Sequence, residues 1–380
     1  MNRASAVALL LISTLPVAAQ TKAHKASAEF FAGTKVINLS IDIGPKELES
    51  LRREPRKYVK VTLKEDDKVY KDIGIHVKGA AGSTRGIDDK PGLTLNMDKF
   101  VDDQIFHGMD KFHLANSVQD PSYVQELICG ELFRAAGVPA SRVSHAVVTI
   151  NGRKRGLYYL KEGYDKYFLS QYFKNTRGNL YDGGFLRDID QPLQLLRTKD
   201  DVKGHADLKA LTTACQERDP KARFQKIDKL LDMDKFMAFL VLESITWDWD
   251  GYPMNRNNYR IYHEPTLNKI IFIPSGMDQM FGNPGGPLLP DYQALVARSV
   301  MQTPEGKARY YEKMDFVLKK VYQPEAIGKR LDELQKRIQP VLASIDAGAG
   351  RDYPNQINRI KDSVKQRAKS LEAQMKQIKK

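Results

Sequence analysis

One stretch, Trp247 to Gly282, constrains what the rest of the chain can be. It reads WDWDGYPMNRNNYRIYHEPTLNKIIFIPSGMDQMFG. Asp248, Asp250, Asn255, Asn257 and Asn258 form one oxygen-rich cluster, and Asp278 centres a second at 276–282. Between them run two strand-like segments, 258–262 and 269–274, joined by the turn chemistry of Glu264-Pro265-Thr266-Leu267-Asn268. A hairpin so placed brings both clusters to one end, where hard oxygen ligands suit Mg²⁺ or Mn²⁺.

The start of the chain reads as a targeting segment. Arg3 precedes an apolar run from Val7 to Pro16, and Val17-Ala18-Ala19 offers a small-residue cleavage site. The run is too short for a membrane-spanning helix, which takes about 20 residues. A secreted or periplasmic protein cleaved near Ala19 is expected, with no integral membrane segment. Removing residues 1–19 removes only Arg3, so the net charge falls from +13 to +12. A basic exported protein favours acidic partners such as nucleotides or anionic envelope polymers. Zinc-finger spacing and a helix-turn-helix pattern are both missing, and no nucleic-acid partner is expected. Export permits Cys129 and Cys215 to pair, but both sit in helical, apolar surroundings that equally suit two buried thiols.

Residues 29–115 read as strands, with alternating runs at 35–41, 58–63, 69–79 and 92–97 and one short helix at 45–53. Lys78 to Lys90 is a loop rich in Gly, Ser and Thr. Its glycines allow close backbone approach to a ligand, and Lys78, Arg85 and Lys90 can meet phosphates. It matches neither a Walker A nor a dinucleotide fingerprint. Asp120-Pro121-Ser122 opens a helix that carries Glu126 and Glu131 and that Gly137 closes. Strands at 143–150 and 156–160 flank Asn151-Gly152, a strong hairpin signal.

Beyond Glu162 the chain turns helical. Helices are expected at 164–172, 207–218, 220–231 and 234–246, and again after the loop at 283–290. The division is a signal peptide at 1–19, a β-rich lobe with one helix at 29–162, a helical lobe at 163–358, and a polar, basic surface helix or tail at 359–380. Phosphoryl transfer needs a cation for the phosphates, an acid that orients it, oxygen ligands for Mg²⁺ and a base that positions the hydroxyl. Candidates occur in that order: Lys78 or Lys90, then Glu126, then Asp250 with an Asn, then Asp278.

These residues carry a resemblance. Lys78-Gly79 with its loop, Asn151-Gly152, Gly156-Leu157-Tyr158, Glu162, Gly178-Asn179-Leu180-Tyr181, Trp249-Asp250-Gly251, Asn257 to Tyr262 and Ile273 to Gly282 together resemble the CotH kinase family of spore-coat-type atypical protein kinases. The resemblance covers most of 35–290. It implies an α+β, two-lobed, protein-kinase-like fold that binds ATP with Mg²⁺ or Mn²⁺. It implies transfer of the γ-phosphoryl group to Ser or Thr of an envelope or surface protein. Under it, Asp250 matches the catalytic-loop Asp, with Asp248 as rival. Asn258 matches the metal-binding Asn, with Asn255 as rival, and Asp278 matches the Asp of the metal-binding Asp-Phe-Gly element. Lys78 and Lys90 compete for the phosphate, Glu126 is the helix partner of that lysine, and Glu162 falls at a hinge. His-Arg-Asp, Val-Ala-Ile-Lys and Ala-Pro-Glu elements are missing. A kinase-like scaffold without catalysis and another nucleotide-dependent transferase are the alternatives.

Overall fold

The computed structural model describes residues 22–197 and 205–378. The expected export segment at 1–19 lies outside the described residues. Alternation of apolar and polar residues produces seven strands that close into a barrel. They are β1 (Ile37–Asp42), β2 (Val59–Glu65), β3 (Lys68–Lys78), β4 (Gly92–Asn96), β5 (Lys111–Ala115), β6 (Val143–Ile150) and β7 (Arg153–Glu162), in the spatial order β1-β2-β3-β4-β5-β7-β6. Neighbours pair antiparallel except at the closing seam, where β1 runs parallel to β6 with Leu39 opposite Val148. Leu39, Ile41, Val61, Ile75, Leu93, Phe112, Val148 and Leu160 fill the interior. The β6–β7 turn is Asn151-Gly152, both with positive φ, as a tight hairpin needs.

Two helices precede the middle strands, α1 (Lys22–Ala32) and α2 (Pro45–Arg53), the second with the bounds its sequence suggests. The third, α3 (Gln125–Ala135), starts four residues later than Asp120-Pro121 implies. Tyr123 adopts a left-handed conformation, with φ of 57°. The fully buried Asp120 carboxylate instead accepts from the Ser122 and Gln125 amides at 3.0 Å each. The expected antiparallel lobe with one helix is therefore a closed barrel flanked by three.

The helical part holds α4 (Lys166–Tyr172), α5 (Ala206–Cys215), α6 (Pro220–Leu230), α7 (Met233–Thr246), α8 (Tyr252–Asn255), α9 (Leu295–Met301), α10 (Pro304–Lys320), α11 (Pro324–Ile345) and α12 (Ala347–Ile378). A second sheet has the order β11-β10-β8-β9, built from β8 (Leu180–Asp182), β9 (Gln194–Arg197), β10 (Tyr259–Glu264) and β11 (Lys269–Pro274). The β10–β11 pair is the expected hairpin, with Tyr259 opposite Pro274. Phe272 on one face packs with Phe236 and Phe239 of α7, while Ile271 and Ile273 on the other meet Phe168 of α4. Apolar on every side, α7 is buried from Phe236 to Thr246. The architecture is α+β. Among the described residues no helix is long and apolar enough to cross a membrane. Cys129 and Cys215 are both free and buried.

The C-terminal segment differs most from its sequence reading. Residues 359–378 take the helical of the two expected forms, but as a continuation of α12, whose Tyr353, Ile357, Val364, Leu371 and Met375 are buried and not on the surface. The wholly buried Arg367 donates to the carbonyls of Ile245 at 3.1 Å and Ser244 at 2.7 Å, and also to Gly286. Ser244 and Ile245 belong to the last turn of α7, where carbonyls run short of donors and carry the negative end of the helix dipole; Ser244 has besides only the Trp247 amide at 3.3 Å. Arg367→Leu is expected to remove these bonds and strand the Ile245 carbonyl at a cost of about 3 kcal/mol, read as a lowered urea midpoint. An unchanged midpoint would mean that other donors replace the guanidinium.

Candidate active site

Register on the outer face of the barrel lines up a polar row. His76 pairs with Thr94, Thr94 with His113, and His113 with Lys161 across β3, β4, β5 and β7. Side chains directly opposite share a face, so these four form one polar row, and Lys78 lies two residues on from His76 on the same face. The Thr94 hydroxyl and His113 Nδ1 are 3.1 Å apart. His113 is held well below the usual imidazole range by burial and by Lys78 and Lys161, so it is neutral.

Lys161 is the cation that pairs with Glu126. Both are buried, at 4% and 2% exposure, so the pair stands or falls together. Burial alone would lower Lys161, but Glu126 and Tyr164 outweigh it and hold the ammonium above its ordinary value. The second oxygen of Glu126 accepts the Met277 amide at 2.7 Å. Gln125 accepts the Met280 amide in the same way. The first turn of α3 thus grips the segment that carries Asp278. Burial, Glu126 and Asp120 push the Asp278 carboxyl up to about 7. Lys78, drawn down to about 8 by burial and by Lys161, feels both Glu126 and Asp278. Arg260 on β10 completes the set, bonded to Asp182 at 2.8 Å with its guanidinium over the Tyr164 ring.

Asp250 lies in a cradle of three asparagines. Asn255 donates to Oδ1 at 2.6 Å, while Asn257 and Asn258 donate to Oδ2 at 3.1 and 2.9 Å. Asn258, with a φ of 52°, sits in the left-handed region that Asn tolerates. Its amide nitrogen serves Asp250, which turns its Oδ1 toward Gly276. A Cβ at Gly276 would stand 2.5 Å from that oxygen, so only glycine lets the segment leading to Asp278 approach so closely. Asn255 and Asn258 both reach Asp250, but the contact at Gly276 belongs to Asn258.

The structure brings together Lys78, Glu126, Asp250, Asn258 and Asp278. It places Lys90, Arg85 and Glu162 elsewhere. Lys90 turns into the barrel mouth, its ammonium 3.0 Å from the Tyr123 hydroxyl and over the rings of Tyr123 and Tyr158. Arg85 bonds the carbonyls of Gly82 and Thr84 within its own loop. Glu162 is buried and occupied by Arg142 and Gln171. Asp248 is buried at 3% exposure, away from the asparagine cradle. Of the two tryptophans, Trp247 caps α7 in a left-handed conformation and Trp249 is 47% exposed. Sequence reasoning missed Lys161, His113 and Arg260. The signal for Lys161 was a lysine on the outward phase of β7, next to the buried Leu160.

Among known proteins, the family model described as CotH kinase protein matches residues 75–371. That is well over half of the chain, which therefore belongs to this family. Invasin CotH3 of Rhizopus delemar is 27% identical over 190 residues, 45% of this chain and 31% of that protein. The inner spore coat protein H of Bacillus subtilis is 23% identical over 269 residues, 64% of this chain and 72% of that protein. The chain thus spans about a third of the length of the invasin. Of solved structures, the Helicobacter pylori proinflammatory kinase CtkA aligns with a TM-score of 0.34 at 9% identity, over 73% of this chain and 94% of that chain.

The tyrosine cage makes a prediction about pH. Burial draws the Lys90 ammonium down from 10.5 to about 8. Between these values the unfolded chain binds more protons than the folded one, so this group makes stability rise with pH across the window. Relative to Lys90→Met, the wild-type denaturation midpoint should therefore gain between about pH 8 and 10.5. A constant difference would place the ammonium in solvent.

Proposed function

We propose that this protein is an exported atypical kinase that transfers the γ-phosphoryl group of ATP to Ser or Thr of an envelope or surface protein, with Mg²⁺ or Mn²⁺. One observation carries the reading: Lys78 and the Lys161–Glu126 pair gather around Asp278, while Asn258 links Asp250 to the same segment. The two-lobed kinase arrangement is part of this proposal, with the barrel above the cleft and the second sheet with its helices below.

The residues fit a hard divalent ion. Asp278 and the turned Oδ1 of Asn258 are oxygen donors, and no group of three or more His, Cys, Asp or Glu among the described residues is placed to hold a metal without help. Mg²⁺ is often held by one or two carboxylates together with substrate phosphates, and Asp278 would supply such a carboxylate. Bound there, the ion would neutralise charge on the triphosphate. Lys78 and Lys161 would steady the phosphates from the barrel side, with Lys161 fixed by Glu126. Asp250 would orient the acceptor hydroxyl. Its Oδ1 accepts from Asn255, so a carboxylate oxygen with two lone pairs retains one for a substrate O–H. In this reading catalysis is positioning and charge neutralisation.

A scaffold without catalysis is the competing reading, favoured by the missing His-Arg-Asp element and by a spore coat relative. Purified protein is incubated with labelled ATP, Mn²⁺ and Ser/Thr substrates. The kinase reading expects label on Ser or Thr, lost by about 100-fold or more in Asp250→Ala and Asp278→Ala. Nucleotide binding without transfer would favour the scaffold, and AMP transfer would favour a different transferase. Lys161→Ala is expected to abolish nucleotide binding while Lys90→Met leaves it intact. The reverse result would move the phosphate site to the barrel mouth.

A further inference from the structure

The doubled Trp-Asp of the sequence leaves one carboxylate outside the proposed chemistry. Asp248 lies two residues before Asp250, yet it is buried at 3% exposure against Glu243, itself fully buried on α7. The turn between them is tight. The Asp248 amide donates to the Glu243 carbonyl at 2.8 Å, and the Gly251 amide donates to the Asp248 carbonyl at 3.0 Å. A Cβ at Gly251 would stand 1.9 Å from Glu243 Oε2 and 2.8 Å from Asp248 Cγ, so both carboxyl groups press on the same bare Cα. Among the described residues, no N–H or O–H of the protein reaches either oxygen of Glu243 or Oδ2 of Asp248.

Two ionised carboxylates in contact in a dry interior repel, and an unpaired buried charge is costly. The surroundings make this worse. From α3 the pair faces Cys129, with Glu126 and Asp120 close by, and Asp250 and Asp278 add negative charge from the loops. Burial and acidic neighbours dominate what acts on Asp248 and Glu243, and Arg367, the cation at this helix end, is engaged by the carbonyls of Ser244 and Ile245. One proton held between them resolves both problems, because a neutral carboxylic acid donates where a carboxylate accepts. Burial pushes both carboxyl groups well up, so the pair holds a proton, and Glu243 is taken as the donor to Asp248.

We propose that Glu243 and Asp248 are positioning residues for the transfer: a proton shared across Gly251 clamps the turn from which Asp250 projects toward the acceptor hydroxyl. The clamp rests on the kinase reading. It ties the last turn of α7 to the residue after Asp250, so losing it lets Asp250 drift from the asparagine cradle without touching Lys78, Lys161 or Asp278. The expected signature is a fall in kcat with KM for ATP unchanged.

The full chain is tested as Glu243→Leu and Glu243→Gln. The glutamine amide donates to Asp248 and keeps the charge of the pair, so kcat should stay within about threefold of wild type. The leucine variant removes the donor and should lower kcat by about 30-fold with KM for ATP within about twofold. A leucine variant with wild-type kcat, or a glutamine variant as impaired as the leucine one, overturns the clamp. Should Glu243→Leu fail to fold, infrared difference spectra of wild type against Glu243→Gln decide the matter at about pH 8, far above the ordinary carboxyl range. The wild type should show the carbonyl stretch of a neutral carboxylic acid that the glutamine variant lacks, and absence of that band overturns the shared proton. This band needs no turnover. A wild type that transfers no phosphoryl group removes the positioning role together with the kinase reading, while the band still reports the proton separately.

Discussion

The buried ion pair between Lys161 and Glu126 is the joint on which the rest of the structure depends. Each partner comes from a different element, β7 and α3, and the free oxygen of Glu126 reaches a third, the Met277 amide before Asp278. Taking two charges out of water costs several kcal/mol per ion before their attraction is counted. Stability alone is therefore a weak reason for such a pair. What it does provide is placement: strand, helix and loop must arrive together for any of the charges to be satisfied. Lys78 and Asp278 are then held in the same electrostatic field, one drawn down to about 8 and the other pushed up to about 7.

The second constraint lies at the end of α7. This apolar helix must stop abruptly to deliver polar residues to the cleft, and it stops on Trp247 in a left-handed conformation. For a bulky side chain that conformation is costly and persists only where the surroundings enforce it. Arg367 does so from α12, bonding the last carbonyls of α7 and stacking over the Trp247 ring at 5.6 Å. The Ser363 hydroxyl, on the same helix, bonds the Phe281 carbonyl at 2.5 Å, and Phe281 donates to Thr246 at 2.7 Å. A helix near the C-terminus thus braces both polar loops of the cleft without entering it.

Much of this architecture was legible in the sequence wherever the cause is local. Alternation marked β2, β3 and β4, Asn151-Gly152 marked the β6–β7 hairpin, and Pro45 marked the start of α2. Closure of the barrel was not legible, because the parallel pairing of β1 with β6 joins residues about a hundred positions apart and leaves no nearby signal. The role of α12 was hidden by composition. Its many charged residues suggested a solvated surface, while the buried stripe from Tyr353 to Met375 was thin. At the proposed site, the sequence nominated Glu126, Asp250, Asn258 and Asp278, which lie near one another in the fold, but could not rank Lys78 against Lys90. The tyrosines that turn Lys90 into the barrel mouth are 33 and 68 positions away along the chain. Nor could spacing separate Asp248 from Asp250, since burial and the asparagine donors distinguish them.

The kinase reading makes the region beside the Lys161–Glu126 pair a metal–nucleotide site. A crystal structure of the protein with Mn²⁺ and a non-hydrolysable ATP analogue tests it most directly, because anomalous scattering locates the metal independently of the phosphates. Mn²⁺ is expected between Asp278 and Asn258 Oδ1, with the triphosphate against Lys78 and Lys161. A nucleotide seated at the barrel mouth beside Lys90, or a metal held by Glu243 and Asp248, would contradict it.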